Sequence, residues 1–346
     1  MLEVARIGDI ASLEQLAPEW NALVERDPRA TPFSRPEWLI PWRREFSGGE
    51  LHCLAMRADG RLVGLLPMFL HEWEGRRQST LLGNGITDYL DLISDPPFAA
   101  ECARAVYEYL EAIRSEWDLC DWQDLPYDSP LIDNAPSWLR PSTQPSTPCT
   151  RASLPRDAAE FESGLPHGLR RTIRIATRRL EREGELRFET HRAPTSELLS
   201  QLLQLHQTRW CTKGGPDSMY DQPGPQRFLL KSARAFTSSG KLRLFVLRWR
   251  DEIHAAILAL ADRERMWGYL TGMNPEIARF SPGSLLLHYA MKQAIDEGAI
   301  SWEFLRGLEA YKFQWGAREI QKVRLCLIQT KPDGQSERLT PALSLI

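Results

Sequence analysis

Apolar positions come in short alternating or continuous bursts on both sides of a proline-rich middle, and the bursts follow the same order twice. In the first half the pattern predicts a strand at Leu51–Met56, a tight turn at Asp59-Gly60 and a return strand at Leu62–Leu70. In the second half the matching pieces are Leu242–Trp249, the turn Arg250-Asp251-Glu252 and Ile253–Ala261. A strand near Ser79–Leu82, or Arg265–Thr271, comes next. A helical pattern follows at Ala99–Ile113, or Ser284–Glu297, and each helix leads into a short aromatic strand, Cys120–Leu125 or Ser301–Leu305. Asp59 and Asp251 are 192 residues apart, and Asp121 and Glu303 are 182 apart. A shared order at nearly constant offset predicts a duplicated unit. Hairpin, strand, helix, strand in each copy predicts an α/β fold of the mixed α+β kind, a mixed sheet with helices on its faces.

Between the halves, seven prolines fall in 124–155 among interleaved Ser and Thr. Proline removes a backbone donor and pushes its predecessor toward extended conformations. The stretch is expected to be a connector without a helix or a central strand, apart from one extended piece at Cys149–Leu154. The expected domains are 1–147 and 148–346.

The densest candidate chemistry lies in Tyr269–Gly316. Ser281 is a candidate N-cap, and Pro282 fits the first helical position. Gly283, ahead of Ser284, has no side chain to screen the free amides of the first turn, so a phosphate or pyrophosphate has access to them. A well-capped core helix fits the same residues. After the helix come the strand Ser301–Leu305 with Arg306 and Gly307, then Tyr311, Lys312 and Trp315. Acyl transfer to an amine needs a base, an oxyanion donor and a proton source. Glu303 is the candidate base or counter-charge, Lys312 the anion or oxyanion partner and Tyr311 the proton source. Taken singly, Tyr311 also reads as a packing tyrosine and Lys312 as a surface lysine.

Two further segments have polar groups in suggestive places. His206, Arg209 and Trp210 sit on an expected helix, Ser196–Cys211, that runs into a glycine-rich loop at 213–216. Arg209 suits a carboxylate or phosphate, while a lone histidine more often fills a structural role. In the first half, Asp88, Tyr89 and Asp91 follow two glycines after a strand. The carboxylates either bind an acceptor's amine or hydroxyls, or cap backbone amides in a turn. Arg171, Arg174, Arg178 and Arg182 share one helical face, with Arg170 and Arg179 beside them. That face is either solvated, with pairs such as Arg178–Glu181 and Arg179–Glu183, or an anion clamp for CoA phosphates, a tRNA backbone or a sugar nucleotide.

Ser281-Pro282-Gly283, Phe304-Leu305-Arg306-Gly307 and Tyr311-Lys312 with Trp315-Gly316 resemble the Gcn5-related N-acyltransferases (GNAT), in the branch termed CelD-like or BioF2-like. That branch is similar to the FemAB peptidoglycan aminoacyltransferases. The resemblance also takes in Leu169–Gly184, His206 with Arg209-Trp210, Thr31-Pro32-Phe33, Trp38, Asp59–Pro67 and Asp88–Asp91, nearly the whole chain. It implies two tandem GNAT-like domains and transfer of an acyl or aminoacyl group to an amine. It also implies that the amides of Ser281–Ser284, with Arg306 and Gly307, hold the donor's phosphates. The donor so implied is acyl-CoA, acetyl or longer, and the acceptor a small-molecule amine or amino-sugar, with Trp210 and Trp315 on the acceptor side. The glycine-rich phosphate signature usual in GNAT enzymes is absent. Two alternatives therefore stand beside this one: aminoacyl transfer from tRNA, and a non-catalytic partner in envelope polysaccharide assembly. The first half has no counterpart of Ser281-Pro282-Gly283, so it is expected to shape the acceptor side or to be structural.

Composition narrows this picture only a little. The chain has 346 residues and a net charge of -3, which gives no global pull toward nucleic acid or anionic membrane. No signal peptide and no membrane-spanning run is evident, so the expected compartment is the cytoplasm without membrane insertion. The six cysteines are scattered, without Cys-x-x-Cys or neighbouring His, and no metal is expected.

Overall fold

Pro67 decides how the first half is built. It has no N–H to give to a ladder, and the return strand expected at Leu62–Leu70 breaks there into Arg61–Leu66 and Met68–Trp73. The outgoing strand breaks opposite it at His52, into Glu50–Leu51 and Cys53–Ala58. The structure, a computed structural model, describes residues 2–46, 48–212 and 218–329, the side chains of 210–212 excepted.

The two breaks split the first half between two sheets, where a single mixed sheet was expected. One is four-stranded: Glu3–Ile7, Cys53–Ala58, Arg61–Leu66, Ile93–Ser94. The other is six-stranded: Glu50–Leu51, Met68–Trp73, Arg76–Leu81, Leu119–Pro126, Lys322–Gln329, Leu139–Pro145. The chain was expected to remain in the second domain from 148 to its end. Instead Lys322–Gln329 lies between Leu119–Pro126 and Leu139–Pro145, antiparallel to both. The described residues accordingly fall into two compact units, one of the first half together with 321–329, the other of 148–320. The proline-rich stretch also holds more structure than expected. Pro130–Asp133 is a short helix, and Leu139–Pro145 is an edge strand that tolerates Pro141 and Pro145 because one side of it needs no donors. Cys149–Ser153, by contrast, is interior to the second unit's sheet.

That sheet has seven strands: Leu186–His191, Leu242–Trp249, Glu252–Asp262, Arg265–Met273, Ser301–Arg306, Cys149–Ser153, Ala317–Ile320. The hairpin turn at Arg250 and Asp251 has φ of 51° and 63°, the left-handed pair that suits a right-twisted hairpin, formed here without glycine. Phe245, Leu247 and Trp249 bury one face under helices Ala158–Gly164, His167–Glu183 and Pro282–Asp296. The alternate residues Leu244 and Val246 are equally buried on the other face. Helix Ser196–Thr212 packs against Arg265–Met273. Gly272 permits this, since a Cβ there would stand 2.7 Å from both the His206 nitrogen and Leu205 Cβ.

All neighbours in this sheet are antiparallel except one pair. Arg265–Met273 and Ser301–Arg306 are parallel, joined by helix Pro282–Asp296, as a parallel pair requires a crossover. Gly298, with φ of 84°, ends that helix, and the Ala299 amide reaches back 2.8 Å to the Ala294 carbonyl.

Candidate active site

The parallel pair is bonded only over Arg265–Trp267 and Ser301–Glu303. Beyond that the strands part, and a cavity of about 500 Å³ opens between them. Gly268, Tyr269, Leu270 and Thr271 line one wall; Trp302, Phe304 and Arg306 line the other. Strand alternation puts Trp302 and Phe304 on one wall, and a bulge opposite Thr150 and Arg151, with Leu305 at φ 60°, interrupts the alternation before Arg306. Leu287 and the first turn of helix Pro282–Asp296 close one end. Tyr311, which is exposed, and Trp315, which is buried against Phe161, complete the lining from the segment after Ser301–Arg306.

Of the residues singled out in the sequence, His206, Arg209, Ser281, Pro282, Gly283, Ser284, Arg306, Tyr311, Lys312 and Trp315 border this one cavity. Trp210's side chain and the loop at 213–217 lie outside the described residues.

Ser281 does not cap the helix with its hydroxyl as expected. It sits in the left-handed region, φ 50° and ψ 50°, and makes no side-chain cap. Its carbonyl instead takes the Ser284 and Leu285 amides at 3.0 and 3.1 Å. With Pro282 lacking an N–H, the amide left open in the first turn is that of Gly283. A Cβ at 283 would lie 3.2 Å from Met273 Sδ.

Glu303 is placed away from the cavity, contrary to a role as base. It is fully buried on the opposite side of its strand, where Oε1 accepts from the Arg151 guanidinium and, at 3.2 Å, from Ser301. Burial pushes its carboxyl above the usual range, against the pull of Arg151. Lys312 is corrected likewise. It is 2% exposed, and its ammonium donates to the carbonyls of Leu305 (3.3 Å), Arg306 (2.6 Å) and Gly307 (3.1 Å) and pairs with Glu309 at 3.0 Å. It holds the turn that presents Arg306 rather than waiting for an anion. Gly307 serves the same turn: its φ is 102°, and a Cβ there would meet the Glu309 carboxylate at 2.5 Å.

Tyr311 stays a candidate proton donor. It is 41% exposed at the mouth, and burial of the rest of the ring, reinforced by Glu309 and opposed by Arg209, pushes its phenol up to about 12. His206 is buried with both nitrogens occupied: Nδ1 lies 3.0 Å from the Thr271 carbonyl and Nε2 3.0 Å from Ser218 Oγ. Nδ1 is thus the protonated nitrogen, and burial holds the ring below its ordinary value. This histidine fixes helix Ser196–Thr212 to the cavity wall. Three residues of the site had no role in the sequence reading. They are Glu309, the described carboxylate on the cavity lining, and the phenol pair Tyr269–Tyr220, whose oxygens are 2.6 Å apart.

The first-unit candidates face inward. Asp91 pairs with Arg29 at 3.0 Å and accepts from Ser129 at 2.5 Å, and burial raises its carboxyl to about 7. The Lys322 ammonium bonds the Asp88 carbonyl and Asp124, both at 2.7 Å, and lies 5.4 Å from the centre of the Tyr89 ring. These contacts hold a core together.

The parting of a parallel strand pair beside an open helix N-terminus can be compared with known folds. Residues 167–313 match the acetyltransferase (GNAT) domain model. Three solved structures are similar over almost their full lengths. FemX is 12% identical, with 93% of this chain and 96% of that chain covered and a TM-score of 0.69. The C-terminal domain of a putative lysylphosphatidylglycerol synthetase from Agrobacterium fabrum is 14% identical, with coverage of 92% and 93% and a TM-score of 0.56. A tandem GNAT protein from the clavulanic acid biosynthesis pathway is 12% identical, with coverage of 96% and 100% and a TM-score of 0.52. Comparison with the curated proteins finds no match. The chain thus has two tandem GNAT-like units of mixed α/β architecture, and the cavity's lining, Trp315 aside, falls within the residues that match the model. Among the described residues, no group of three or more His, Cys, Asp or Glu is placed to hold a metal, and no helix is long and apolar enough to cross a membrane.

Proposed function

We propose that the protein is an N-acyltransferase whose second unit holds an acyl-CoA in the cavity and passes its acyl group to a small amine. The observation that carries this reading is the wedge between Arg265–Met273 and Ser301–Arg306, which ends at the open Gly283 amide. An extended acyl-pantetheine arm suits a slot between two strands that have parted and whose walls are Leu270, Leu287, Trp302 and Phe304. A phosphate suits the Gly283 end, with Arg306 as counter-charge. The donor supplies an activated carbonyl. The incoming ammonium first gives a proton to water; the amine nitrogen then attacks that carbon, the C–S bond breaks, the Tyr311 hydroxyl gives its proton to the departing thiolate, and the phenolate recovers a proton from the new amide nitrogen through water. Glu309 takes the role first given to Glu303, that of counter-charge to the incoming ammonium.

A second reading is supported by the same helix end. Ser281 occupies the Ser284 and Leu285 amides, so the first turn offers fewer free donors than a glycine-rich phosphate loop would. That favours a donor without a pyrophosphate at this place, as in Fem-type aminoacyl transfer from tRNA. Thermal unfolding of the full chain with CoA, acetyl-CoA and longer acyl-CoAs separates the two. Ligand at 100 times its dissociation constant adds about 2.7 kcal/mol. A saturable upward shift is the expected result. No shift at millimolar concentration excludes the CoA reading and leaves the aminoacyl donor.

A further inference from the structure

Helix His167–Glu183 turns Leu169, Ile173, Ala176 and Leu180 into the core, which leaves its arginines outside. Six stand on that outer side: Arg170, Arg171, Arg174, Arg178, Arg179 and Arg182. No hydrogen bond or ion pair of these guanidiniums occurs among the described residues, so the pairs Arg178–Glu181 and Arg179–Glu183 read from the sequence do not form. Elsewhere on the described surface the exposed guanidiniums of Arg104, Arg156, Arg234 and Arg318 also stand without a hydrogen bond or ion pair, singly rather than as a row, while others are paired. Arg57 pairs with Glu19, Arg77 with Asp118, Arg187 with Asp251 and Arg192 with Glu297.

Three of the six also share a concavity. Arg170, Arg171 and Arg174, with His167, line a cavity of about 410 Å³ that has no lining residue in common with the wedge. Its other wall is His288 and Glu162. The Glu162 carboxylate is paired with Lys292 at 3.1 Å and lies 2.8 Å from His288, whose ring is held below its ordinary value by burial, so the lysine is the charge that offsets it against the arginines. The helix contributes in the same sense, since Pro166 provides no side-chain cap and no acid stands in the first turn.

We propose that this second cavity binds a diphosphate ester, with Arg170, Arg171 and Arg174 as its anion receptors. Guanidinium forks hold phosphate oxygens two at a time, and three forks within two helical turns match two adjacent phosphates in a small volume. Confinement favours a compact ligand over a polymer. A nucleic-acid backbone would engage the whole row, about 16 Å from Arg171 to Arg182 at 1.5 Å per residue, whereas Arg178 and Arg182 lie outside the cavity lining. Trp315 of the wedge and His288 of this cavity stand 6.4 Å apart between ring centres, so a ligand here would neighbour the proposed reaction site. The proposal does not depend on the acyltransferase reading, because its readout is binding alone.

The test titrates inorganic pyrophosphate into the full chain by calorimetry at low salt. Arg170→Ala/Arg174→Ala is expected to weaken binding about tenfold or more, while Arg306→Ala in the wedge changes it less than about twofold. Alanine at exposed helical positions favours the helix, and an unchanged melting curve confirms that the variant is folded. Absence of saturable binding, or loss with Arg306→Ala but not with the double variant, overturns the proposal. So does a single-stranded oligonucleotide that binds and is weakened as much by Arg178→Ala/Arg182→Ala, without competition from pyrophosphate. That outcome would assign the whole face to a polymer.

Discussion

Replacing Lys312 with methionine keeps the apolar stem and removes the ammonium. In the folded chain that ammonium is the shared donor to three consecutive carbonyls, Leu305, Arg306 and Gly307, and the partner of Glu309. Glu309 is 58% exposed on its side chain and returns to water at little cost. The carbonyls fare worse. Thr150 Oγ1 reaches those of Leu305 and Gly307 only at 3.4 and 3.5 Å. A buried acceptor that loses its donor costs about 1–3 kcal/mol, and here three carbonyls share the loss. We therefore expect Lys312→Met to lower unfolding free energy by about 3 to 5 kcal/mol. For a unit of this size that is a melting-point drop of roughly 6 to 20 °C. Urea unfolding with an unchanged slope would assign the loss to stability rather than to a looser denatured state. Donor affinity should fall as well, because the loosened turn carries Arg306 and Glu309. A loss below about 1 kcal/mol together with abolished turnover would refute this reasoning and return the ammonium to the reacting atoms.

Tyr311→Phe should lower turnover about a hundredfold while shifting stability by less than about 1 kcal/mol. With its phenol pushed up to about 12, Tyr311 should also cause no loss of turnover on raising pH from 7 to 9; equal rates in variant and wild type remove it from the reaction. Burial holds the His206 imidazole below its ordinary value, so the unfolded chain binds the extra proton first, and the stability this contributes above about pH 6.5 is lost as pH falls. Asp91, raised to about 7, acts in the opposite sense and strengthens the fold on acidification through that value. The measurement is therefore a difference: between about pH 7.5 and 5.5 the wild type should lose more unfolding free energy than His206→Gln. Parallel curves would mean that His206 is as protonated folded as unfolded.

What the sequence made legible was the local grammar. Hairpins, crossover helices and aromatic strands follow from periodicity and turn residues, and the turn at Arg250-Asp251 was found although it has no glycine. Pairing choices between distant segments were not legible. Nothing local in Lys322–Gln329 says that it will join Leu119–Pro126 rather than the strand just before it, and Pro67 marks a break without saying that the two pieces enter different sheets. The same limit governs the site. Residue type placed Tyr311, Arg306 and Gly283 at one cavity, because a strand end, a helix start and an aromatic turn converge in this fold. It misassigned Glu303 and Lys312, because polarity alone cannot tell a buried charge with partners from one that faces a ligand. Period-two alternation was the available signal for Glu303: if Trp302 and Phe304 face the wedge, 303 faces away.

The duplication sharpens the functional argument. The first unit has its own parallel pair, Arg76–Leu81 beside Leu119–Pro126, bonded only at Gln78 and Ser79 and linked through helix Ala99–Ala112. By topology alone it deserves the same cleft. Yet side chains from Phe33, Leu39, Tyr89 and Leu90 close around about 10 Å³ there, space for a single water at most. In the second unit, Gly268 supplies room at the fork. A Cβ on it would stand 2.9 Å from the Trp302 ring, so glycine lets that ring lie flat against the strand as a wall. Parting strands are therefore necessary for a ligand slot but not sufficient; the residues at the fork decide whether the gap is lined or filled. Ligand binding is accordingly expected in the second unit, and the buried charges of the first, Asp91, Asp124 and Lys322, answer to packing rather than to chemistry.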